Sequence, residues 1–158
     1  MALAALIILA GMSPLFPHPE NFAPFTAIAV FAGVTFASGR AALIAPLLAI
    51  VLKDIVLEFM YRAGLTQSYG FYTEMWVIYG ALALVALVGR LARGTRSPMV
   101  IAAATLTGSC LFFLITNLAV WASGGIYPRT MVGLMECYTA AIPFFRNSLF
   151  GDCCYSFV

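Results

Sequence analysis

Charged side chains are scarce in this chain: they make up 9% of its 158 residues, where ordinary soluble domains carry roughly 25%. That deficit, together with 63% apolar residues and a mean hydropathy of +1.02, excludes an ordinary water-soluble core and points to a chain solvated by lipid. Basic charge is equally thin. A net charge of +2, spread over loops and helix ends without a basic stripe, excludes a nucleic-acid partner. Histidine is limited to His18, and one histidine without a second His or Cys ligand makes no zinc site, so no metal is expected. The cysteines Cys110, Cys137, Cys153 and Cys154 lie in apolar stretches and show no C-x-x-C spacing. They read as small core residues, not as a disulfide framework.

The signatures of catalysis are missing too. No G-x-S-x-G elbow and no G-x-x-x-x-G-K-[ST] phosphate loop occurs, so neither a serine hydrolase nor a nucleotide-hydrolysing chain is expected. The acidic residues of the apolar stretches, Asp54, Glu136 and Asp152, form no recognisable acid–base pair. The sequence therefore predicts no catalytic residue, no enzyme activity and no cofactor. No basic region precedes Ala2, and further apolar segments follow the first, which makes the N-terminal run a helix of the mature chain and not a secretory signal.

What is present is apolar length. Residues 2–16, 23–38, 41–57, 75–89 and 99–122 approach the roughly 20 apolar residues that a helix needs to cross a bilayer. The first run ends at Pro17-His18-Pro19, which forbids continuation. The second carries Ala29, Gly33 and Ala37 at four-residue spacing and the third Ala41, Ala45 and Ala49. Such stripes either let helices approach closely or are merely tolerated small residues. Residues 131–142 are apolar but too short to span and meet Pro143; a last run begins at Ser148 and stops at Val158. The expectation is an outer-face helical segment followed by a sixth spanning helix that is cut short. The fold class is thus all-α: one domain over residues 1–158, a polytopic transmembrane bundle of six helices with a cytoplasmic N-terminus.

Orientation follows from arginine. Arg40 and the Arg90, Arg93, Arg96 cluster sit in alternate short loops, and the positive-inside bias places those loops in the cytoplasm. Loops 17–22, 58–74 and 123–130 then face outward, holding only Arg62 and Arg129. The expected location is a bacterial inner membrane, crossed several times.

Charges within spans cost on the order of 3 kcal/mol each and so mark candidate sites. Lys53 and Asp54 sit about 18 Å up the third helix, as a polar floor beneath an outward-facing pocket or as a snorkelling lysine beside a paired aspartate. Asp152 falls about one and a half turns into the predicted last helix and needs a partner. Lys53 or a polar group of another helix suits it better than Arg146, as a structural pair or as a ligand contact. Thr116 and Asn117 are candidates for interhelical hydrogen bonds. The outer loops gather His18, Asn21, Tyr69, Tyr72, Glu74, Trp121 and Tyr127, either an interfacial aromatic belt or, given their proline and glycine content, a shaped ligand lid.

Three strings, residues 17–24 (PHPENFAP), 121–128 (WASGGIYP) and 141–152 (AIPFFRNSLFGD), resemble an uncharacterised family of bacterial six-helix proteins described as transport proteins, over nearly the whole chain. More distantly, the chain is similar to the S components of energy-coupling factor transporters. Those six-helix proteins capture vitamins or metal ions from outside and dock on a transmembrane subunit driven by separate ATPases. The similarity lies in size, helix count, topology, small residues on the early helices and the approach to the last helix from Pro143 to Asn147. It implies a ligand pocket under the outer loops, with Asn147 near it, and a small-residue face toward a coupling subunit. The leading expectation is a solute-binding or transport component, embedded in lipid, that captures a small molecule between the first, third and last helices. The alternative is an accessory structural subunit of a larger membrane complex.

Overall fold

The computed structural model describes residues 2–15 and 24–156. Helix α1 (Ala2–Met12) runs into a single 3-10 turn (Ser13–Leu15). It is followed by α2 (Phe25–Thr35), α3 (Gly39–Arg62), α4 (Met75–Leu91), α5 (Pro98–Ser123) and α6 (Met131–Ser156), with no strand among the described residues. The segment with His18 and Asn21 lies outside them. Local signals set the boundaries of the middle helices. The Ser38 hydroxyl accepts from the Ala41 N–H at 3.4 Å to open α3, and Pro98 occupies the first turn of α5, where its missing N–H has no helical partner to lose.

Helix α6 corrects the expectation of a broken, half-length ending. It is continuous over 26 residues with Pro143 inside it, a length of about 39 Å. Proline at position 143 removes one helical hydrogen bond, to the carbonyl four residues earlier. Packing against neighbouring helices supports the rest, as in other apolar helices that carry proline. The helix does not run parallel to α5. Cys137 Sγ and the Tyr138 hydroxyl reach the Asn117 and Leu114 carbonyls of α5 at 3.4 and 2.7 Å, while Asp152 reaches Ser109. Between positions 137 and 152 α6 rises about 22 Å, whereas α5 rises about 12 Å between 109 and 117. The longer path obliges α6 to cross α5 obliquely, which opens a space between them.

Helix α2 is the hub. At 11 residues it is only about 16 Å long, half a bilayer core, and Thr26 to Val30, Ala32 and Gly33 are buried. Ala29 and Val30 join Ile50 of α3 and Leu82, Val85 and Ala86 of α4 in the main apolar core. A second cluster ties Ile28 and Ala32 to Ile7 of α1 and Ala49 of α3. Of the two readings left open for the α2 stripe, close approach occurs at Gly33, where an added Cβ would lie 2.7 Å from the Arg90 backbone nitrogen. Reciprocally, one on Gly89 would lie 2.9 Å from Val30 Cα. Ala37 falls past the helix end and is exposed. Of the α3 stripe, Ala49 meets Gly11 of α1, while Ala41 and Ala45 line an open apolar groove of about 370 Å³ with Ile8, Phe36, Ile44 and Leu48.

The arginine-bearing turns share one end of the bundle. The Arg90 guanidinium donates to the Phe36 carbonyl at 3.1 Å, placing a cation on the negative C-terminus of α2, and Gly39 at the start of α3 lies beside it. Loops 63–74 and 124–130 meet at the other end, around Tyr72, Glu74, Gly125 and Ile126. Among the described residues one helix, α5, qualifies by length and composition to cross a membrane. Helices α2 and α4 are apolar but shorter, and α3 and α6 carry several charges along their length.

Candidate functional site

The space between α5 and α6 is part of a cavity of about 410 Å³ that also reaches α2, α3, α4 and loop 63–74. Its aromatic walls are Phe25, Phe112, Phe113, Phe144 and Phe145, with the rings of Phe113 and Phe145 4.6 Å apart. Polar groups are set among them: Lys53, Tyr72, Thr116, Asn117, Ser148 and Asp152. Helix α1, expected with the third and last helices around a pocket, contributes no lining residue among those described, whereas α3 and α6 line this cavity together with α2, α4 and α5.

Lys53, the single lysine of the chain, lines this cavity with its side chain 17% exposed. Its ammonium pairs with Asp54 and stands 5.6 Å from the centroid of the Phe25 ring, a cation–π contact. Asp54 is 3% exposed and accepts a second bond from the Tyr79 hydroxyl at 2.7 Å. Lys53 thus lines a cavity and Asp54 is paired with its neighbour.

Asp152 is 1% exposed and its partners are donors of other helices, not Lys53. The Ala27 N–H donates to Oδ1 at 3.0 Å. The Ser109 hydroxyl lies 2.7 Å from Oδ2 and 2.9 Å from the Thr105 carbonyl. It has one proton to give, and the ionised carboxylate is the stronger acceptor. Thr26 also donates through its side chain. No side-chain cap serves the start of α2 at Pro24, so the carboxylate from α6 caps α2 in trans, meeting the unpaired N–H groups and positive dipole end of its first turn. This also corrects the expected depth of Asp152, which lies near the far end of a long helix, not one and a half turns into a short one.

Thr116 and Asn117 do not cross-link helices as expected: their side chains donate to the Phe112 and Phe113 carbonyls of α5 itself at 2.9 and 2.8 Å. Trp121 and Tyr127 line neither this cavity nor its neighbour. Trp121 Nε1 braces the α5–α6 turn by donating to the Pro128 and Thr130 carbonyls at 3.1 and 3.2 Å. Asn147 is half-buried, and the adjacent Ser148 is the lining residue. Sequence reasoning passed over the phenylalanines. The available signal was the pair of Phe-Phe dipeptides, 112–113 and 144–145, which look like lipid-facing bulk until α6 is laid across α5.

Loop 63–74 lies flat on α3. The Gly70 N–H donates to Glu58 Oε2 at 3.2 Å, and a Cβ at Gly70 would collide with the Asp54 carbonyl oxygen, so only glycine allows this approach. The loop thereby holds Tyr72 against the cavity, and Tyr72, Ile78 and Thr116 also line a second space of about 380 Å³ beneath Gly125 and Ile126. Burial, then the negative charges of Asp54 and Glu74, push the Tyr72 hydroxyl up to about 12. The folded state binds this proton more tightly than the unfolded chain, so the associated stability is full below the ordinary value of 10.0 and disappears as pH rises through about 12. A phenolate absorbance titration of the folded protein against Tyr72→Phe should show the Tyr72 transition only in that upper range. A Tyr72 transition at the ordinary tyrosine position would contradict the packing described for the loop.

These features define an all-α bundle with a partly open aromatic and polar cavity. The chain matches, over residues 1–158, a family of unknown function, DUF6580, and belongs to it. No curated protein and no solved structure matches the chain.

Proposed function

We propose that this protein is a membrane-embedded solute-binding component that takes a small molecule into the α5–α6 cavity from the tyrosine-bearing end. The observation that carries this reading is an interior holding a lysine among five phenylalanines inside a bundle whose exterior is apolar. The volume, about 410 Å³, falls within the roughly 300–1,000 Å³ common for ligand pockets. The most apolar 18-residue window of α5 is only 22% buried, and Leu106, Leu114 and Leu118 stand about half exposed. A core helix of a water-soluble protein would hide them, whereas lipid solvates them. The separation of arginine-bearing and tyrosine-bearing ends supports a multi-pass arrangement in a bacterial inner membrane with the arginine end in the cytoplasm. Impermeant thiol labelling of Arg93→Cys and Tyr69→Cys in intact cells should modify only the second. Labelling of both from one side would overturn the orientation.

The resemblance to S components agrees with a cavity under loop 63–74 and suggests a transmembrane coupling subunit and ATPases as partners. Thermal shifts of the detergent-purified protein against vitamins, nucleobases, amino acids, sugars and metal ions test the reading. At least one small solute should raise the melting temperature, and Lys53→Met should abolish the rise. A flat response across the whole set, together with no co-purifying ATPase, would sink it. The Ala41–Ala45 groove favours a second reading, an accessory subunit packed in a larger complex. Isolation of a stable large assembly that lacks a transport ATPase would select it.

A further inference from the structure

We propose that the cavity selects an uncharged, planar heteroaromatic solute with a hydrogen-bond acceptor and an N–H donor on its polar edge, a lactam- or amide-bearing ring. This rests on the solute-binding reading and narrows it.

The charge balance at the site comes first. The Lys53 ammonium is met by Asp54, and the Asp152 carboxylate by the Ala27 N–H, Ser109 and Thr26. The lysine is paired with its opposite charge, and the Asp152 carboxylate, 1% exposed, has its oxygens occupied by neutral donors from other helices. A ligand anion would find the lysine of the cavity already paired, and a ligand cation would have to displace the donors that hold Asp152; buried charge without a partner is strongly unfavourable. A neutral ligand meets no such penalty.

The hydrogen-bonding inventory gives the second constraint. The Lys53 ammonium has three N–H groups, of which one serves Asp54, so the cavity retains lysine donors. The Thr116 hydroxyl spends its proton on the Phe112 carbonyl, which leaves its oxygen as an acceptor. Asn117 spends one N–H on the Phe113 carbonyl and retains a donor and an acceptor. Lysine donors therefore call for a carbonyl or ring nitrogen on the ligand, and the Thr116 oxygen calls for an N–H. Third, the Phe113 and Phe145 rings, 4.6 Å apart at 38°, form a wall from α5 and α6 that suits an offset-stacked flat ring, with Phe25 beyond it beside the ammonium.

The test uses matched compounds of nearly equal size in thermal-shift and equilibrium binding assays on the full chain. Nicotinamide is compared with nicotinate and N-methylnicotinamide cation, and uracil and hypoxanthine with orotate; alanine, choline and glucose provide non-aromatic arms. Uncharged heterocycles should stabilise the protein and bind at least tenfold more tightly than their charged counterparts. Asn117→Leu should weaken that binding at least tenfold while leaving the ligand-free melting temperature close to the parent's; Lys53→Met should weaken it likewise but lower the ligand-free melting temperature, because Asp54 loses its partner, and Asn117 decides the matter if the lysine variant fails to fold. Tighter binding of an anion, a cation or a non-aromatic compound would overturn the proposed class yet leave the solute-binding function standing. Absence of binding by every compound of this set would overturn the class, and the solute-binding function falls with it when the wider set is also flat and no ATPase co-purifies.

Discussion

Asp152→Ala is expected to lower the melting temperature of the purified protein steeply and to reduce its folded yield, with a loss on the order of 3 kcal/mol. The figure comes from stranding buried donors, each about 1–3 kcal/mol when left unsatisfied, and from removing a helix cap worth about 1 kcal/mol. The substitution leaves the Ala27 N–H and the Thr26 hydroxyl without their acceptor, while Ser109 retains the Thr105 carbonyl. The consequence is not local to α6. The first turn of α2 loses its cap, and α2 carries residues of both apolar clusters. Asp152→Asn keeps one acceptor oxygen and should lose clearly less. An alanine variant that melts with the parent would show that α2 is positioned without the carboxylate.

The second large effect is expected at the crossing of α2 and α4. In Gly33→Ala the new methyl would stand 2.7 Å from the Arg90 nitrogen, 2.8 Å from the Gly89 carbonyl carbon and closer still to the Ala86 oxygen. These are backbone atoms and cannot rotate away, so the helices must separate. Separation would loosen Val30 from Val85 and Ala86 and pull Arg90 from the Phe36 carbonyl. Overpacking of this kind costs about 1–3 kcal/mol, occasionally more, and the upper part of that range is expected because the obstruction is backbone. Gly80→Ala, on the facing helix α4, supplies the control: a Cβ there meets nothing within 4 Å and gains helix propensity. Equal melting temperatures for the two variants would contradict the close crossing.

The sequence located α4 and α5 to within two residues at each end and the start of α3 likewise, but ended α3 at Leu57, five residues short of Arg62. For α4 and α5 the apolar run is bounded by residues with their own reason to bound it, Arg90 and the Ser97-Pro98 start, whereas the last turn of α3 carries Glu58 and Arg62 and reads as loop although it is helical. It was misled over α6 because Pro143 and the charges Glu136, Arg146 and Asp152 interrupt the hydropathy of a helix that is nevertheless continuous. It picked out Lys53, Asp54 and Asp152 because charge in an apolar run is conspicuous, yet it could not tell which groups they meet. The phenylalanines of the cavity were invisible as site residues for the opposite reason, since apolar side chains in an apolar chain stand out against nothing.

Composition and the spacing of apolar runs settled by themselves that the chain is helical and apolar outside, and the spacing of arginines set apart the end that carries them. These properties are sums over neighbouring residues, and a local sum can be read from a linear string. Which charge is matched by which donor belonged to the tertiary structure alone. The partners of Asp152 lie 43 and 125 positions away, and only the oblique passage of α6 over α5 brings them within hydrogen-bonding distance while leaving the cavity between them.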